Sequence, residues 1–247
     1  MLRVIDMLNS SRRMMFENAI DGFEYTGRGT CFICRYHGHD FAVTAGHVTR
    51  DYNADAIRIL FHQGARDFVP HNAQITIRVD EDQSGANHED DDSDWRDIAI
   101  FPLERSLYDD NQFNDQAPYP IPSRHLIWQP DLGGHFIMRG FPHDLSAIDY
   151  DDFVLREQAV QLEADLIGPA TMQHCFQIRF RDLSPCSTLD GLSGAPVFWV
   201  GDDQPRSHCL AGMMLRATYA SATGYFVDAN VIVSALEKAL AESDIAK

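Results

Sequence analysis

The sequence predicts an all-β fold in two halves, closed by one helix at the C-terminus. Apolar residues recur mostly in short runs of period two, as in Ile75, Ile77 and Val79 or Val160, Leu162, Ala164 and Leu166. Gly, Pro, Asp and Asn interrupt these runs at short intervals, as turns between strands require. Clear helical spacing is confined to the end of the chain. At 247 residues, 45% of them hydrophobic, the chain has enough apolar material for one large core or two smaller ones.

Taken in order, residues 2–20 have weak helical periodicity and are expected to form a helix. Strand-like runs follow at 30–35, 41–44, 56–61 and 98–103, then at 135–138, 160–166, 176–180, 195–200 and 210–215. Many short strands of this kind form a sandwich or barrel. The stretch between the two sets holds Asp109-Asp110-Asn111-Gln112 and Pro118-Tyr119-Pro120-Ile121-Pro122 and lacks periodicity, which marks a linker. At the end, Ile232, Ala235, Leu236, Ala239 and Leu240 fall on one helical face with Asn230 as N-cap candidate. The organisation is therefore one domain over 1–247. It comprises an N-terminal extension and first half (1–105), a linker (106–124), a second half (125–228) and a helix (229–247).

Composition excludes several functions. A formal net charge of −17 repels phosphate backbones and anionic headgroups, so neither nucleic acid nor membrane is an expected partner. No apolar run is long enough to cross a bilayer, and the first residues lack a signal-peptide core. Five cysteines, Cys31, Cys34, Cys175, Cys186 and Cys209, do not form a disulfide framework of the secreted type. They point to buried free thiols and a cytoplasmic location. Cys31 and Cys34 lack a second pair at zinc-ligand spacing, and in a strand they would point to opposite faces.

Three segments carry chemistry. In Phe41-Ala-Val-Thr-Ala-Gly-His47, a histidine directly follows an apolar strand, where a turn can aim the imidazole into a cleft. Asp97 stands at the mouth of the strand Ile98-Ala99-Ile100, positioned to accept a hydrogen bond from the Nδ1–H of a neighbouring imidazole and fix its tautomer. In Asp190-Gly191-Leu192-Ser193-Gly194-Ala195-Pro196, glycines on both sides of a serine permit a tight turn. Such a turn exposes the hydroxyl and gathers the Gly191 and Ser193 amides as an oxyanion hole. Taken singly, each has a bland alternative: a filler histidine, a loop aspartate, a glycine-rich hairpin.

Together these segments resemble, in residues and order, the trypsin-like serine peptidases of bacterial and intracellular type. Thr44-Ala45-Gly46-His47 matches T-A-[AG]-H, Asp97-Ile98-Ala99 matches D-[IL]-A, and Gly191 to Pro196 matches G-x-S-G-[GA]-P. Fifty residues separate His47 from Asp97, and 96 separate Asp97 from Ser193. Gly140-Phe141-Pro142 is similar to the family's Gly-aromatic-Pro turn. The resemblance implies two antiparallel six-stranded β-barrels with the site between them. It implies a serine endopeptidase acting on protein or peptide substrates through an acyl-enzyme, without cofactor or metal. His47 would be base and then acid, Asp97 its orienting partner and Ser193 the nucleophile. Leu192 departs from the Asp that pairs with a new N-terminus in digestive members, and Ala195 replaces the commoner second Gly. By similarity, Ser187, Ala217 and Gly224 would form the substrate pocket, uncharged and suited to an apolar or aromatic side chain. The sequence assigns no oligomeric state.

Other readings were weighed. Nine acidic residues lie within 80–97, and Asp90, Asp92 and Asp94 imitate a calcium loop. Trp95 and Phe101 stand where that loop needs Gly and Glu, so a solvated loop that repels acidic substrates is the expectation. An α/β-hydrolase needs a helix after its nucleophile, whereas Pro196-Val-Phe-Trp-Val200 is strand-like. The competing class is a weak or inactive protein of the same fold acting as a binding module.

Overall fold

The computed structural model describes residues 4–72, 75–76, 96–122, 128–131, 133–150, 154–202 and 207–245. The strand residues Ile77 and Val79 and the acidic residues up to Asp94 lie outside that set.

The first half is a seven-stranded sheet. Its strands are β1 (Ser11–Glu17), β2 (Tyr25–Tyr36), β3 (His39–Ala45), β4 (Ile57–Ile59), β5 (Ile75–Thr76), β6 (Ile98–Pro102) and β7 (Tyr119–Pro120). They run in the order β4-β1-β2-β3-β6-β5, with β7 beside β2, and among the described residues the path is open, a half-barrel. The second half is the closed barrel that was expected, in the order β11-β12-β15-β14-β13-β8. Its strands are β8 (His135–Gly140), β11 (Val160–Pro169), β12 (Cys175–Phe180), β13 (Pro196–Val200), β14 (His208–Thr218) and β15 (Thr223–Asp228). A side hairpin, β9 (Ser146–Asp149) with β10 (Val154–Glu157), projects between β8 and β11.

Turn chemistry sets the register. β2 and β3 pair Tyr36 with His39, leaving a two-residue loop in which His37 and Gly38 both have positive φ (49° and 81°), the primed hairpin turn that matches strand twist. That register continues through Cys31 opposite Thr44 and delivers β3 to the site.

Three expectations need correction. The N-terminal helix is only α1 (Val4–Leu8), and residues 11–17 form β1. Its first six residues are buried, Arg12 and Arg13 among them. Arg12 is satisfied by the carbonyls of Phe61 (2.9 Å), Asn9 (2.6 Å), Ser11 (2.9 Å) and Gln116, and burial lowers its pKa to about 10. The linker is more structured than its composition suggests. Its turn at Asp110–Phe113 is closed by a capping box, and β7 adds a parallel pairing to β2. Finally, the C-terminal helix α3 (Ala229–Ile245) is capped by Asp228, whose carboxylate accepts the Asn230 N–H at 2.7 Å, rather than by Asn230.

Candidate active site

Antiparallel register brings His47 and Asp97 together. β3 and β6 pair Thr44 with Ala99 and Ala45 with Ile98, so one step further sets Gly46 opposite Asp97, and the Gly46 N–H donates to the Asp97 carbonyl at 2.8 Å. The short helix α2 (Gly46–Thr49) starts there and carries His47 in its first turn. Glycine at position 46 leaves room for the carboxylate, since a Cβ would lie 2.8 Å from Asp97 Oδ1 and force it to shift. His47 Nδ1 is hydrogen-bonded to Asp97 Oδ2. Side-chain exposure is 36% for His47 and 15% for Asp97, so the carboxylate is shielded while the ring edge faces solvent. Arg50, one turn after His47, places Nη2 3.4 Å from the second oxygen, Asp97 Oδ1.

The nucleophile turn is held by hydrogen bonds on its carbonyls. Asp190 O accepts the His143 N–H at 2.8 Å, and Leu192 O accepts the Ala195 N–H at 2.9 Å. A trans peptide points its N–H opposite its C=O, so the following amides, Gly191 and Ser193, are turned the other way. Among the described residues neither has an acceptor. Gly191 (φ 99°) and Gly194 (φ 87°) lie in the left-handed region, and a Cβ on Gly194 would sit 1.9 Å from Thr30 O. Leu192 turns inward instead and packs in the barrel core beside Gly140.

Thr30 on β2 ties this turn to the first half. Its N–H donates to Ser193 O at 2.9 Å, and its hydroxyl donates to Gly191 O at 2.6 Å and accepts the Phe141 N–H at 3.1 Å. Thr44 in turn donates to Thr30 O at 2.6 Å. Sequence reading missed Thr30, because a threonine within a strand carries no local signal for a contact 161 residues away.

His47, Asp97, Gly191, Ser193, Leu215 and Ala217 all line one open cleft of about 1300 Å³. In this structure the Ser193 hydroxyl donates to the Leu215 carbonyl at 2.9 Å. The expected pocket residues do not all gather there. Ala217 lines the cleft, but Ser187 is at the surface, where its N–H donates to Asp144 at 2.7 Å and its hydroxyl binds the same carboxylate. Gly224 is packed under Met214 and Phe180 in the barrel. The Asp144 carboxyl is held below its usual range by those Ser187 hydrogen bonds.

No protein-family model and no curated protein matches the chain. Solved structures do. Human heparin binding protein superposes with a TM-score of 0.57 at 10% identity, over 94% of this chain and 92% of that one. The crystal structure of tobacco vein mottling virus protease gives 0.50 at 12% identity, over 92% of this chain and 80% of that one. The fold is trypsin-like. Among neighbours of this fold, one is named a protease and the other a binding protein, so the fold alone does not choose between turnover and recognition.

Proposed function

We propose that the protein is a serine endopeptidase acting inside the cell. The observation that carries the reading is the His47 to Asp97 hydrogen bond at the wall of a cleft shared with Ser193 and two unengaged amides. Asp97 fixes the tautomer with the proton on Nδ1, which leaves Nε2 as the base. Rotation about the Ser193 Cα–Cβ bond, a change between staggered wells, frees the hydroxyl from Leu215 O and turns it toward His47. Nε2 then takes the Ser193 proton as Oγ bonds to the substrate carbonyl carbon. The electron pair displaced onto the carbonyl oxygen is met by the Gly191 and Ser193 N–H groups. Collapse breaks the C–N bond, with His47 returning the proton to the leaving amine, and water repeats the sequence to release the acyl group.

On the second half's side, β14 pairs with β13 as far as Met213 opposite Pro196, and beyond that point Leu215 and Ala217 line the cleft beside Ser193. An extended peptide added there would align its carbonyls with the nucleophile. Five buried, free cysteines fit a reducing compartment. The second reading, a binding module, is favoured by the Ser193 hydroxyl's engagement with Leu215 rather than with His47.

A fluorophosphonate probe separates the two readings. Wild type is expected to label and Ser193→Ala not to. Against any peptide that is cut, Ser193→Ala should lose turnover on the order of 10⁶-fold and Asp97→Asn on the order of 10⁴-fold. Absence of labelling in folded wild-type protein, or labelling that survives Ser193→Ala, would overturn the peptidase assignment.

A further inference from the structure

The chain carries 37 acidic and 20 basic residues of the Lys and Arg type, yet its cleft has the opposite character. Among the described residues, Arg13, Arg28, Arg50, Arg96 and Arg216 line it together with two carboxylates, Asp97 and Asp190. Asp97 is committed to His47. The two fields act over different ranges. Salt screens exposed charges beyond roughly 8 to 10 Å, so a ligand in the cleft feels the charges that line it more than charges farther away.

The arginines stand on both walls. From the first half, Arg28 pairs with Asp51 at 3.0 Å, but both side chains are exposed (45% and 69%), a pair of little energetic weight that a ligand can replace. Arg50 is 72% exposed and touches Asp97 through one nitrogen, leaving other guanidinium donors toward solvent. Arg13 is 5% exposed, bonds Gly27 O at 3.2 Å, and has Nε and Nη1 buried without partners. Burial depresses its pKa and Glu157 opposes that, so Arg13 adds positive charge from behind the cleft wall rather than a donor to the ligand. From the second half, Arg216 directly follows Leu215, the acceptor of the Ser193 hydroxyl. Its guanidinium is held 5.6 Å above the Tyr225 ring and 2.7 Å from Met172 Sδ. Holding that long side chain in place reduces the entropy lost on binding.

We propose that the cleft selects peptide segments bearing carboxylate side chains on either side of the bond presented to Ser193, with Arg216 and Arg28 as specificity residues on opposite walls. This rests on the peptidase reading for the bond that is cut, but not for the recognition itself. It also runs against the expectation that the acidic loop within 80–97 repels acidic substrates, a loop whose residues up to Asp94 lie outside the described set.

The test uses binding, which needs no turnover. Dye-labelled Glu-rich, Gln-rich and Lys-rich peptides of equal length are titrated into Ser193→Ala protein at low and at physiological salt and followed by anisotropy. The Glu-rich peptide is expected to bind tightest and to weaken as salt is added. Arg216→Glu and Arg28→Glu should each weaken it about fivefold, the upper range for one exposed ion pair, and strengthen the Lys-rich peptide, a gain that misfolding cannot produce. Equal binding of the three peptides, or an order unchanged by Arg216→Glu, overturns the proposal. Fluorophosphonate labelling of wild type separates the failures. Labelling without acidic preference ends this inference and leaves the peptidase, whereas acidic preference without labelling ends the peptidase and leaves the recognition.

Discussion

A single hydroxyl, that of Thr30, holds the nucleophile turn and the Phe141 backbone together. It is within hydrogen-bond distance of Gly191 O (2.6 Å) and the Phe141 N–H (3.1 Å). Thr30→Val keeps the shape of the side chain but leaves both backbone groups unpaired, a loss of about 1 to 3 kcal/mol. Because that bond anchors the Gly191–Leu192 peptide, which lies between the two peptides carrying the Gly191 and Ser193 N–H groups, turnover should fall further than stability does, on the order of 10²-fold if the oxyanion donors move by about 1 Å. The loss should appear in kcat more than in KM, and Thr30→Ser, which retains the hydroxyl, should restore most of it. A Thr30→Val enzyme with unaltered kcat would show that the turn is held by its glycines alone. Gly46, in contrast, is a residue whose role the sequence does disclose. It precedes the histidine in a recognisable tetrapeptide, and the space denied to its Cβ by Asp97 explains why.

Among the elements, those legible in the sequence are the ones whose two faces differ. β11 alternates buried and exposed from Val160 onward, and its period-two pattern is plain. β1 shows no strand alternation in the sequence because both of its faces are covered and two of its interior residues are arginines, the type least expected inside. The turns within the linker have no legible pattern in the sequence because their order comes from a charge cluster. There Asp40, with no side-chain exposure, is bonded by Arg35, Arg105 and the Tyr108 hydroxyl. Asp110 joins this cluster through Arg35 (2.7 Å) and Arg105, whose hydrogen bonds lower its pKa from 3.8 to about 2. A depressed carboxyl adds stability that is fully present above the unfolded value near 3.8 and lost as pH falls through about 2. Asp110→Asn should therefore cost stability at neutral pH and flatten its decline over that acid window. Since the side chain is 52% exposed, screening keeps the effect below about 1 kcal/mol. Urea midpoints measured across pH provide the check, and an equal difference between the two proteins at pH values above and below the window would contradict the linkage.

For the whole molecule, the decisive feature is that the barrel keeps a core of its own while its outer wall completes the core of the first half. β13 is buried along its entire length, and its residues alternate between two clusters. Val197 and Trp199 face the barrel interior, whereas Phe198 and Val200 pack with first-half residues such as Phe32, Ile33 and Phe101. Leu210, Met213, Leu215 and Val227 join that same outer cluster, and so do Ile232, Leu236 and Ala239 of α3. The helix follows the barrel in sequence but seals the core shared with the other half, with the Tyr36 hydroxyl 3.2 Å from Glu237 at its edge. A strand wall common to both clusters cannot melt on one face alone, so unfolding should be a single transition. Leu236→Ala tests this. The side chain is fully buried, and its truncation should cost about 2 to 5 kcal/mol. Trp128 and Trp199 lie in the barrel cluster, so in a Trp95→Phe background their fluorescence reports on the half that the substitution does not touch directly. The fluorescence midpoint and the far-UV circular dichroism midpoint should fall together and by the same amount. A dichroism curve that splits in two, with the tryptophan transition left at its original denaturant concentration, would mean that the barrel stands without its neighbour and that the cleft between them is held by Thr30 and the seam contacts alone.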